Sequence, residues 1–169
     1  MIYTCKIETP LGAITASAEN NSLTGLWFIG QKYYPSGTES WINKSDYPVF
    51  KELKLWIKNY FEGKNLSVCN IKLEPQGTVF QKEVWKILLK IPYGATTTYG
   101  EIAKQLARKK GLSSMSAQAI GGAVGHNPIS ILIPCHRVIG AAGNLTGYAG
   151  GIEKKEALLR LEKTVFIKK

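Results

Sequence analysis

Acidic residues are scarce in this chain of 169 residues: 12 Asp and Glu stand against 22 Lys and Arg, a net charge of +10. The shortage is uneven. Residues 1–77 hold 7 acidic and 8 basic side chains, whereas residues 78–169 hold 5 and 14. So basic a C-terminal part suits a polyanion, most simply nucleic acid, against the plain alternative of a solvated basic face. No apolar run approaches the ~18 residues that a membrane-spanning helix needs. The N-terminal "MIYTCKIETP" carries Lys6 and Glu8 and lacks the form of a signal peptide, which points to the cytoplasm. Cysteine is limited to positions 5, 69 and 135, an odd number without CxxC spacing, which argues against a disulfide framework. The two histidines, His126 and His136, lie ten residues apart, so no metal site is expected.

Short alternating segments fill the first part of the chain. "IYTCKIE", "AITASAE" and "LTGLWFI" are separated by the turn sequences "TPLG" and "NNS", which predicts a small antiparallel sheet. Phe50, Leu53, Ile57, Tyr60 and Phe61 recur at helical spacing and predict an amphipathic helix over 48–62, with Trp56 and Tyr60 as packing residues. "LSVCNIKL", 66–73, reads as a further strand in which Cys69 is a small buried hydrophobe. "LEPQGT", 73–78, reads as a linker. The chain therefore divides into an N-terminal α/β domain, 1–75, and a C-terminal domain, 78–169.

Helical patterns dominate the second part. Thr78 and Gln81 form a capping box before the stripe Val84, Leu88 and Ile91. A second box, Thr98 and Glu101, opens "GEIAKQLARKK", which Gly111 breaks. Ser114 caps a third helix, "MSAQAIGGAVG". Two helices around a short turn, the second lined with small residues, read as a helix-turn-helix. Lys104, Arg108, Lys109 and Lys110 make a phosphate-contacting cluster at the first helix and the turn. A Gly-rich loop, "GAAGNLTGYAGG", precedes a final helix over 152–163.

The chemistry concentrates in "ILIPCHRVIG", 131–140. Pro134 interrupts what reads as a buried strand, so Cys135 stands at a strand end where a rigid frame can hold it. A free thiol titrates near roughly 8.5 and needs a base or a positive field to become a nucleophile. His136 is the nearest base. Neighbouring side chains point apart on regular structure, so the imidazole reaches the thiol through a water more readily than directly. It also needs an orienting acceptor on its other nitrogen. Glu153, Glu156 and Glu162 are the first carboxylates downstream, and one of them has to fold back.

"IPCHRVIG" resembles the signature of the O6-alkylguanine-DNA alkyltransferases. "GTVFQKEVWKILLKIPYGATTTYGEIA", "QAIGGAVGHNP" and "TGYAGGIEKKEALLRLE" are similar to that family's other C-terminal segments, in its order, over roughly 78–163. The resemblance implies an α/β fold: a small ribonuclease H-like N-terminal domain without catalysis, then a mostly helical, winged-helix-like domain with a helix-turn-helix. It implies DNA repair by irreversible, single-turnover transfer of an alkyl group, methyl above all, from O6 of guanine to Cys135, with O4 of thymine a candidate second donor. The implied partner is double-stranded DNA containing O6-alkylguanine. The protein would be a monomer away from membranes and would need no cofactor or metal.

The resemblance also distributes roles. His136 and Glu162 would complete a relay to the thiol, which selects one of the three carboxylates. Asn127 would brace the active-site turn, and Tyr99 would donate a hydrogen bond to the departing guanine. Tyr148 and the loop around it would wall the base pocket, a backbone N–H at Ala149 would help hold the base oxygen, and the backbone at Cys135 and Val138 would read the guanine amino group. Arg137 would belong with the substrate- and DNA-binding residues. The helix 115–125 would enter the minor groove, with Gln118, Ala119, Gly121 and Gly122 on its DNA side. Many relatives have arginine in place of Gln118 and serine in place of Ala149. The physics agrees: the lesion is buried in the duplex, flipping it out costs a few kcal/mol, and minor-groove entry tolerates any flanking sequence.

Two other functions use the same residues. A cysteine hydrolase or acyltransferase would form a thioester that water cleaves, and so would turn over, whereas a thioether is a dead end. A DNA-binding regulator would bind DNA and never change mass.

Overall fold

In the computed structural model, residues 1–68 and 70–164 are described. The chain forms two compact units: Met1–Gln76 together with Pro128–Ser130, and Gly77–Asn127 together with the chain from Ile131 onward.

Among the described residues, the first unit is a mixed sheet with one α-helix. Strands β1 (Tyr3–Thr9), β2 (Gly12–Glu19) and β3 (Ser22–Phe28) form an antiparallel meander, and the two-residue β4 (Ile42–Asn43) pairs parallel to β1, giving the order β3-β2-β1-β4. Helix α1 (Pro48–Phe61) begins with Pro48 in its first turn, where a missing N–H costs nothing. It buries Phe50, Leu53, Ile57 and Tyr60 as its periodicity requires. Trp56 stacks on Tyr60 with ring centroids 5.1 Å apart.

The strand expected over 66–73 does not form among the described residues. Ile71 N–H turns back to the Val68 carbonyl at 2.9 Å, and only the end of the segment reaches the sheet: Leu23 N–H donates to the Lys72 carbonyl and Glu74 N–H to the Leu23 carbonyl, each at 2.8 Å, a single parallel bridge between Leu73 and Leu23. Cys69 lies outside the described residues. A segment that the sequence does not mark adds a second bridge further along β3: Leu26 N–H donates to the Pro128 carbonyl at 2.8 Å and Ser130 N–H to the Leu26 carbonyl at 2.9 Å.

The second unit is mostly helical. Helix α2 (Val79–Leu88) carries the complete Thr78–Gln81 capping box. Strand β5 (Thr97–Thr98) leads directly into α3 (Tyr99–Lys109). Thr98 Oγ1 accepts the Glu101 N–H at 3.1 Å, but the Glu101 carboxylate turns to Lys104 at 3.6 Å, so the second box is only half made. The cap of α4 (Ala117–Gly125) is Ser116 rather than Ser114, because Ser116 Oγ is the group that accepts the Ala119 N–H, at 3.2 Å. The buried indole of Trp85 donates to the Ala123 carbonyl at 2.9 Å and ties α2 to α4. The last helix, α5 (Ile152–Leu161), buries Lys155, Leu158 and Leu159.

Candidate active site

A short parallel pairing assembles the site. Strand β6 (Val138–Ile139) runs beside β5, with Thr97 opposite Val138 and Thr98 opposite Ile139. Tyr99, the first residue of α3, is thereby brought close to the backbone that follows Cys135.

Cys135 opens a 3-10 turn, Cys135–Arg137, directly after Pro134. The residues before it are buried as expected, but they are not a strand: residues 131–133 run in turns, and Ile131 adopts φ 72°. A β-branched side chain in the left-handed region costs about 1–3 kcal/mol and needs surroundings that over-determine it. The Ile133 carbonyl supplies one such constraint. It accepts both Asn127 Nδ2 and the Cys135 N–H, each at 2.8 Å. Asn127 thus braces the bend that presents the thiol.

Cys135 is 7% exposed. Burial pushes its thiol above the ordinary value, while a hydrogen bond from Asn127, the charge of Lys155, and bonds involving its own backbone and Tyr148 pull the other way. His136 is fully buried, and its Nε2 lies 2.7 Å from Glu162 Oε2. A carboxylate only accepts, so Nε2 carries the proton and Nδ1 the lone pair. Nδ1 is buried and has no hydrogen-bond partner among the described residues. Burial lowers the His136 pKa more than Glu162 raises it, which favours the neutral ring with its lone pair at Nδ1.

Of the three carboxylates, Glu162 folds back. It follows α5 by one residue, while Glu153 stays exposed and Glu156 pairs with Arg160 at 2.9 Å. Arg137 turns inward. Its Nε donates to Glu162 Oε1 at 2.8 Å, Nη2 to Oε2 at 3.1 Å and Nη1 to the Ile91 carbonyl at 2.6 Å. The guanidinium also lies 5.8 Å from the Tyr93 ring centroid. One carboxylate therefore orients the imidazole and is itself held by a fork of two donors.

Val138 is buried, and Tyr148 and Ala149 are half-buried in the loop before α5. Gln118, Ala119 and Gly122 are exposed on α4. Gly121 faces Tyr99: a Cβ there would stand 3.8 Å from the Tyr99 ring. Of the basic cluster, Lys110 is committed to Glu83 at 3.0 Å and Lys104 to Glu101 at 3.6 Å, while Arg108 and Lys109 stay exposed.

The sequence reading missed Lys155 and Thr146. Lys155 is wholly buried, and its Nζ donates to the Val138 carbonyl at 2.5 Å. A signal was available: Lys155, Leu158, Leu159 and Glu162 recur at i, i+3, i+4 and i+7, which puts two charged side chains on the inward stripe of α5. Thr146 Oγ1 lies 2.9 Å from the Tyr99 hydroxyl, a contact no sequence spacing announces.

The model for the 6-O-methylguanine DNA methyltransferase DNA binding domain matches residues 79–164, and that for the ribonuclease-like domain of the same name matches residues 1–75. The chain is 46% identical over 164 residues to the methylated-DNA–protein-cysteine methyltransferase of Mycobacterium bovis, covering 97% of this chain and 94% of that one. It is 39% identical over 168 residues to the protein of that name from Haemophilus influenzae, covering 99% and 90%. Among solved structures it is similar to the O6-methylguanine methyltransferase of Mycobacterium tuberculosis, with TM-score 0.82, 44% identity and coverage of 96% and 93%. A crystal structure of Mycobacterium tuberculosis OGT in complex with DNA matches with TM-score 0.81, 42% identity and coverage of 96% and 92%.

Proposed function

The chain belongs to the 6-O-methylguanine DNA methyltransferase family, and from that premise we propose that it repairs DNA by moving an alkyl group from O6 of guanine onto Cys135, once per molecule. The observation that carries the choice of residue is the 2.7 Å His136–Glu162 bond, which leaves a buried imidazole lone pair next in the chain to a buried thiol.

The residues divide the work. His136 Nδ1 takes the thiol proton through a water, while Glu162 holds the ring and favours the imidazolium that results. Lys155 and Asn127 favour the thiolate once formed. The thiolate attacks the alkyl carbon, the carbon–oxygen bond breaks, and its electron pair leaves with guanine. Tyr99 donates to the departing base. Tyr148 and Ala149 wall the pocket, and the backbone at Cys135 and Val138 reads the amino group. The substrate is double-stranded DNA containing O6-alkylguanine, with O4-alkylthymine a further candidate. Helix α4 enters the minor groove, with Ala119, Gly121 and Gly122 allowing close approach and Gln118 filling the place of the flipped nucleotide. Arg137 serves by holding Glu162 rather than by touching DNA. The protein works as a monomer in the cytoplasm.

Incubation with O6-benzylguanine followed by intact-protein mass spectrometry tests this. The expected result is a gain of one benzyl group per chain, mapped to Cys135, with Cys5 and Cys69 unchanged. Steady turnover of substrate without a mass change would favour the hydrolase instead.

A further inference from the structure

Lys155 is a wholly buried cation of the second unit. An ammonium has three N–H donors, and three acceptors surround this one: the Val138 carbonyl at 2.5 Å, the Gly147 carbonyl at 3.4 Å and Thr146 Oγ1 at 3.5 Å. Two of these are backbone oxygens and can only accept. The third is a hydroxyl, which can accept from Lys155 and donate onward. Its onward neighbour is the Tyr99 hydroxyl at 2.9 Å.

We propose that Thr146 is a positioning residue that links Lys155 to Tyr99 in a proton path to the departing guanine. The inference rests on the alkyl-transfer reading above and deepens it. When the carbon–oxygen bond breaks, its electron pair passes to guanine, which takes the Tyr99 hydroxyl proton. The Tyr99 oxygen takes the Thr146 proton, and Thr146 takes one from the Lys155 ammonium. Lys155 ends neutral and Cys135 ends as a thioether. The thiol proton sits on His136, so total charge is conserved, and both groups later exchange protons with solvent.

Acid strengths favour the path. Burial raises the Tyr99 phenol above its ordinary 10.0, against a partly offsetting bond from Thr146, so alone it parts with its proton reluctantly. Burial lowers Lys155 from 10.5 to about 8, with the neighbouring Cys135 opposing that change. Burial thus makes the phenol a weaker acid and the ammonium a stronger one, so Lys155 is the readier source of the proton.

The test compares Thr146→Val, which keeps the shape, with Thr146→Ser, which keeps the hydroxyl. Each variant is reacted with free O6-benzylguanine, with a benzylated purine whose ring carries a nitro group, and with iodoacetamide. The maximal O6-benzylguanine rate of Thr146→Val should fall at least about 10-fold, within the ~10²–10⁴ that general-acid assistance supplies, with half-saturation nearly unchanged. The loss should shrink on the nitro compound, whose leaving base is a more stable anion. Thr146→Ser should recover most of the rate, and iodoacetamide should react with all forms alike, since no guanine departs. Equal losses on both purines, a Thr146→Ser variant as slow as Thr146→Val, or a matching loss with iodoacetamide would each overturn the proposal. If the unaltered protein takes no benzyl group at all, the failure lies in the alkyl-transfer reading itself.

Discussion

Glu162 binds His136 and Arg137 with the same carboxylate: Oε2 is 2.7 Å from His136 Nε2, and the two oxygens receive Arg137 at 2.8 and 3.1 Å. The imidazole is therefore oriented by an acceptor that cannot itself rotate away. This makes Glu162 the place to test the relay. Glu162→Gln should lower the single-turnover rate by about 10²–10⁴-fold, the usual worth of base assistance, and should move the Cys135 titration upward. An unchanged rate across pH 6–9 would mean that the relay runs elsewhere.

Burial holds the His136 pKa below its ordinary 6.5, against the opposing pull of Glu162. The unfolded chain takes up a proton near 6.5 that the folded chain resists, so the unfolded state binds more protons in that window. Stability from neutral His136 is full above about 6.5 and is lost as pH falls toward the folded value. The urea midpoint should thus drop between pH 7 and pH 5.5, and the drop should be smaller in His136→Asn. Equal drops in both proteins would place the acid sensitivity in other groups.

Lys155 should matter to the thiol as well as to the leaving base. Its charge is among the influences that pull the Cys135 pKa down against burial. Lys155→Met removes that charge, so iodoacetamide should alkylate Cys135 more slowly at neutral pH, with the inflection displaced to higher pH. An unmoved inflection would confine Lys155 to structural and leaving-group roles.

Gln118 should act only where a nucleotide has to be flipped. It is exposed on α4, and its amide can donate and accept at an orphaned base. Gln118→Ala should slow repair in duplex DNA, because nothing then offsets the flipping cost of a few kcal/mol, and leave free O6-benzylguanine reacting as before. Gln118→Arg should steepen the salt dependence of duplex binding by roughly one unit of slope if the new charge meets a phosphate. Equal slowing of both reactions in Gln118→Ala would mean that Gln118 shapes the pocket rather than the DNA gap.

Much of this molecule is written locally. The meander of β1 to β3, the stripe of α1, the cap at Thr78 and the helix-turn-helix follow from alternation, helical spacing and side chains that bond three residues away. The nucleophile and its base are neighbours in sequence, and the resemblance singled out Glu162 among three carboxylates. What periodicity could not supply is every relationship that depends on a distant backbone atom. The strand expected over 66–73 shrinks to a single bridge at Leu73, and residues 128–130 make a second one at Leu26, because ladder pairing is decided by which segments reach β3. "ILIP" is apolar enough for a strand, yet Ile131 adopts φ 72°, and the Ile133 carbonyl, shared by Asn127 and Cys135, holds the bend. The resemblance groups Arg137 with the DNA-binding residues, and its bonds to Glu162 appear only in the fold, since a desolvated guanidinium needs fixed acceptors and Glu162 supplies two. Thr146 and Lys155 meet Tyr99 only because β5 and β6 pair in one register. The one-dimensional pattern determined which side chains turn inward, and the fold decided which buried polar atoms face each other, because burial enforces pairing without naming the partner.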